Sequence, residues 1–139
     1  MRIDDWIDQA KTRVIALAPD TKGSTDDGFT FDDGEREISP HRSFFWRPVH
    51  VDPSKGFADR QIAAGHQFVV RYDMAPGVDK QVRQDGERFV ALFENSNTWI
   101  ADGSCFAVIC GSWIVGPARS GVGIECTMDQ RVEYALTGV

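Results

Sequence analysis

His66-Gln67-Phe68-Val69-Val70-Arg71-Tyr72, with the Met74-Ala75-Pro76-Gly77 that follows it, decides the fold of this chain. Phe68, Val70 and Tyr72 fall on every second position, so His66 to Met74 reads as a strand. Pro76-Gly77 breaks it. From Val78 to Glu94 the apolar residues Val78, Val82, Phe89, Val90 and Phe93 recur at helical spacing, which makes this segment an amphipathic helix. Its polar residues, Lys80, Arg83, Asp85, Glu87 and Arg88, are the mixture expected of a solvated face. Gly86 costs helix stability and is read as a point of close packing.

Working outward toward the N-terminus, Ser43 to Val51 is rich in β-formers and reads as the strand before it. Pro48 has no N–H to give a ladder, so an edge or a bulge is expected there. Asp52-Pro53-Ser54-Lys55-Gly56 has turn chemistry, and Val51 to Ile62 is long enough for a protruding hairpin arm. Asp20 to Pro40 is dominated by Gly, Ser, Thr and Asp and reads as a long acidic loop or loose hairpin. Ile3, Ile7, Ala10, Val14 and Leu17 lie on one helical face, with acidic residues early and Lys11 and Arg13 later, and Pro19 is expected to stop that helix.

Toward the C-terminus, Phe106 to Val115 and Gly121 to Leu136 form two apolar runs divided by Gly116-Pro117 and expected to pair antiparallel. The expectation is one α+β domain spanning residues 1–139. Its elements run α-β-β-α-β-β, with a mixed or antiparallel sheet and both helices on one face.

Composition narrows the function. With 139 residues, 42% of them hydrophobic, the chain can build one core without disulfides or a structural metal. Fifteen basic residues against 21 acidic give a formal charge of −6, which argues against a nucleic-acid clamp. The N-terminus lacks the apolar run of a secretory signal, and no stretch of apolar residues is long enough for a membrane span, so a soluble protein made in the cytosol is expected.

The residues that carry chemistry are sparse. His41, His50 and His66 have no second ligand at metal spacing. Cys105, Cys110 and Cys126 form an odd set and read as reduced packing thiols. A regular strand would point Cys105 and Cys110 to opposite faces. Pairing of Cys126 with His66 or His50 is the one route to a nucleophile, and no local motif supports it. The acidic pairs Asp4/Asp5, Asp26/Asp27 and Asp32/Asp33 lie in polar surroundings where carboxylates stay hydrated. Catalytic residues, metals and cofactors are all expected to be none.

The element order resembles that of the tail terminator, or tail completion, family of long-tailed bacteriophages. The resemblance rests on the helix from Ile3 to Leu17, the strand His66 to Tyr72, the helix after Pro76-Gly77, and the closing Arg131-Val132-Glu133-Tyr134-Ala135-Leu136. It implies a structural virion protein that is no enzyme. Six copies would form a ring capping the head-proximal end of the tail tube, stopping tube polymerisation and meeting the connector or neck of the head. DNA would pass through the channel without being specifically bound, and no membrane is involved. Phe44, Phe45, Trp46, Phe57 and Trp99 are the expected subunit-interface anchors. Asp26, Asp27, Asp32 and Asp33 are expected on an acidic lumen or rim, where they would repel phosphate. The rival readings are another neck or tail-tube protein, or a small Cys/His hydrolase or binding domain.

Overall fold

The computed structural model describes residues 1–17, 28–32, 40–53, 61–94, 99–118 and 121–136. Two helices, α1 (Ile3–Ile15) and α2 (Val78–Glu94), and five strands, β1 (Thr30–Phe31), β2 (Ser43–Pro53), β3 (Gln61–Tyr72), β4 (Cys105–Pro117) and β5 (Ile124–Ala135), form one α+β unit. The sheet order is β1-β2-β3-β5-β4; β1 runs parallel to β2 and the other neighbours are antiparallel.

The order differs from the expected one by β1, which lies inside the segment read as an acidic loop. Thr30 and Phe31 are held because Thr30 N–H donates to Arg42 O at 3.1 Å and Asp32 N–H to Phe44 O at 3.0 Å. The Phe31 ring also meets Phe44 and lies under the Lys11 ammonium. The stems of the expected arm belong to the sheet, with Val51 opposite Ala64 and Pro53 opposite Ile62. Residues 54–60, the rest of that arm, lie outside the described residues.

Both helices lie on one face of the sheet. Trp6 of α1 rests against Trp46 and His66, while Phe89 and Phe93 of α2 rest against Phe68. Trp6, Phe44, Phe68, Phe89 and Phe93 are fully buried, and each such side chain contributes about 1.5–3 kcal/mol through lost water contact. α1 begins where Asp5 accepts the Arg2 backbone N–H at 2.8 Å, placing a carboxylate at the positive end of the helix dipole. α2 begins at Gly77, whose φ of 83° is cheap only for glycine. At Gly86 an added Cβ would come within 2.5 Å of the Trp113 ring, so the close packing expected there is present.

The strands differ in regularity. Every β3 residue from Gln61 to Tyr72 has a partner in β5 without a break. β2 carries one extra residue between Pro48 and His50, where the proline interrupts the ladder. β4 carries two extra residues, one between Cys105 and Ala107 and one between Cys110 and Trp113. The first of these overturns the expectation for the thiols. Cys105 and Cys110 pair with Tyr134 and Gln130, four apart on β5, and therefore share the helix-covered face.

Candidate functional site

Where β2, β3 and α2 meet, the interior holds a polar knot that begins with the tight turn before β2. Arg42 sits at a left-handed φ of 58°, which carries its side chain under the sheet. There Arg42 Nη2 and Nε donate to Asp85 Oδ1 and Oδ2 at 2.7 and 3.1 Å, and Tyr72 OH donates to Oδ2 at 2.8 Å. Arg42 and Asp85 are almost wholly buried, and the guanidinium also lies over the Phe29 ring. Burial and the neighbouring Asp85 carboxylate raise the Tyr72 hydroxyl far above its ordinary range, so it stays a donor. His41 extends the knot: its Nδ1 accepts the Asp73 N–H at 2.9 Å, so Nε2 donates to Gln81 Oε1 at 2.8 Å.

The expectation that Asp85 belongs to the solvated face of α2 is therefore wrong. A carboxylate can enter the core only with its charge met, and the residue that meets it lies 43 positions away in sequence.

The thiols are held in their protonated form. Burial pushes Cys126 up to about 12, reinforced by Asp85 and then Glu125, and pushes Cys110 up to about 11. Cys105 is raised as well, again by burial. A nucleophilic or metal-binding thiolate needs the opposite environment. His66 is lowered to about 4, first by burial and then by the nearby His50, and its Nε2 has no hydrogen-bond partner among the described residues. Among the described residues no group of three His, Cys, Asp or Glu could hold a metal ion.

The open face of the sheet, opposite the helices, carries a depression of about 340 Å³ around Gly65 and Gly111, walled by His50, Ile109, Asp129 and Arg131. The His50 ring lies across Gly65, where no side chain keeps it off. Several of its polar groups already have partners: Arg131 Nε donates to Glu133 at 3.2 Å, His50 Nε2 lies 3.3 Å from Asp52, and Asp129 Oδ1 accepts from Gln67 Nε2 at 3.4 Å. Further along, Arg47 spans to Gln67 and Glu125. The arrangement is a self-satisfied polar surface without a nucleophile and base in register.

The expected interface anchors are mostly spent on the chain's own core. Phe44 and Trp99 are buried in it, and Phe45 is buried on the open face with the Arg47 and Arg71 guanidinium groups over its ring. Trp46 packs partly on the core, and its Nε1 donates to Gln130 Oε1 at 2.9 Å. Aromatic residues serve cores and interfaces alike, so their identity could not separate the two roles. Phe57 lies outside the described residues, as do Asp26, Asp27 and Asp33. Asp32 is buried rather than standing on a rim.

The strand expected over Phe106 to Val115 is present as β4, but its exposed apolar edge was not among the expected site features. It is the outer strand beside β5, and Phe106, Ile109, Ile114 and Val115 on it are exposed. Its signal was available: Cys105 to Pro117 contains no Asp, Glu, Lys or Arg, in a chain where 26% of residues are charged.

Compared with known proteins, the chain matches no family model and no curated sequence. No helix among the described residues is long and apolar enough to cross a membrane.

Proposed function

We propose that this protein acts by assembling, as a structural component of a phage tail of the terminator kind. Six copies form a ring on the head-proximal end of the tail tube, between tube and neck, at the head–tail junction of the virion. The observation that carries the reading is β4, a long, uncharged, apolar outer strand. Such edges offer backbone donors and acceptors to another chain, and proteins that stay apart blunt them with charge. The interior supports the same reading. Its charged pair is sealed and burial raises the pKa of its thiols, which suits a protein whose work is the placement of surfaces. Of the four residues expected on an acidic lumen, only Asp32 is among the described residues, and its burial in the single chain lends that part of the reading no support.

Light scattering joined to negative-stain imaging tests this. Discrete rings of about six subunits, formed alone or on tail tubes, are the expected result. Filaments instead of rings would move the protein into the tube. A monomer at high concentration, both alone and with tube and neck proteins, would end the assembly reading. Rapid modification of one cysteine near neutral pH with loss of an activity would favour an enzyme.

A further inference from the structure

The segment Val108-Ile109-Cys110-Gly111-Ser112-Trp113-Ile114-Val115 begins Val-Ile and ends Ile-Val, so its two outer aliphatic pairs mirror each other. In a regular strand Ile109 and Ile114, five apart, would point to opposite faces. Here they do not. Ile109 pairs with Arg131 and Ile114 with Thr127, four apart on β5, because β4 gains its extra residue between Cys110 and Trp113. Both isoleucines stand on the open face, each more than half exposed. By the same count Val108 and Val115, opposite Val132 and Cys126, share the helix side.

We infer that β4 is a two-fold seam: β4 of a second copy of this chain pairs antiparallel with it about an axis between Gly111 and Ser112. The two sheets then run on as one. Ile109 faces Ile114 of the partner subunit and Ile114 faces the partner's Ile109, while Val108 and Val115 match in the same way. Residues directly opposite in an antiparallel pair must share a face, and the extra residue at the axis supplies that match.

Three observations select a second copy over another partner. A regular strand laid along β4 would lose register at the extra residue, whereas a second β4 brings the same irregularity to the same place. A symmetric contact of an uncharged strand with itself opposes no like charges. The other side of the sheet is ill-suited to receive β4: beyond β1, the outer strand β2 carries Pro48 and Pro53, and proline cannot donate to a ladder.

This inference goes beyond the ring reading and does not require it. A ring that caps one end of a tube is joined head to tail, because two-fold contacts would give it two equal ends. The seam then belongs to the free protein and covers the apolar edge until assembly.

Sedimentation equilibrium of the full chain gives the test. The expected species is a dimer of twice the 15.5 kDa chain mass. Ile109→Lys combined with Ile114→Lys should weaken dimerisation at least about tenfold, since like charges then stand directly opposite. Ile109→Lys combined with Ile114→Glu should restore it, because each lysine then faces a glutamate across the axis. Unchanged far-UV circular dichroism certifies the fold, and Ile109→Ser with Ile114→Ser replaces the lysine pair if the fold suffers. A wild-type monomer, a double-lysine variant that dimerises normally, or a lysine/glutamate variant as impaired as the double lysine overturns the seam. Rings that form from a double-lysine variant with weakened dimers support the seam and the ring, and place the ring's own contacts away from β4. A normal dimer that never forms rings on tail tubes counts against the ring alone.

Discussion

The corner where β2 and β3 meet α2 and the outer strand β4 are opposites within one sheet. The corner gathers Arg42, Asp85, Tyr72 and His41 and seals most of them from water; β4 has no charged residue and leaves its isoleucines exposed. A reactive site needs polar groups within reach of a substrate. Among the described residues the densest polar cluster is buried, and β4 offers no charged side chain. Charge at the corner helps to fix the fold, while β4 keeps apolar side chains exposed.

The largest expected effect attacks the corner. Asp85→Ala removes the acceptor of three hydrogen bonds, two from Arg42 and one from Tyr72, and leaves the guanidinium without its carboxylate. Breaking a buried pair by removing one partner costs about 3–5 kcal/mol, read as a lower urea midpoint. A double-mutant cycle with Arg42→Met should return a coupling of at least about 1 kcal/mol. Additive losses would mean that the two residues do not act as a unit, and the contrast with β4 would lose its sharper half.

His66, buried beneath Trp6, supplies the next effect. In the fold it stays neutral down to about pH 4, against 6.5 ordinarily. Between those values the unfolded chain takes up the proton more readily, so stability is full above about pH 6.5 and falls as the pH drops toward 4. Linkage puts the total near 3 kcal/mol. The wild type should lose more stability between pH 7 and pH 4.5 than His66→Leu does. Parallel profiles for the two would show that this histidine is already charged, or hydrated, in the folded protein.

Much of this architecture was legible in the sequence, for reasons particular residues show. α2 was bounded at Val78 and Glu94 because Pro76-Gly77 and a strong apolar period leave little choice, and the irregularity at Pro48 followed from a missing N–H. What could not be read depends on partners remote in the chain. β1 is two residues whose place is fixed by Arg42 and Phe44, and Asp85 looks like any surface carboxylate until Arg42 is known to lie against it. The thiols were misassigned to opposite faces because an extra strand residue leaves no mark in composition; one such residue reverses every later side chain. The same shift brings Ile109 and Ile114 to one face, so the edge of interest was invisible to a strict two-residue period.

The smallest expected effect falls on β4 and carries the most information. Ile114 is more than half exposed, so Ile114→Thr removes little buried surface, and threonine keeps the branched shape that strands favour. Monomer stability should therefore change by no more than about 0.5 kcal/mol, as for surface positions generally. Association should weaken all the same, since the side chain lost is one that faces a second copy. Thermal melts at concentrations too low for dimers, set beside sedimentation at high concentration, separate the two quantities. A loss of stability with association untouched would mean that Ile114 supports its own subunit, and β4 would then belong with the corner instead of standing against it.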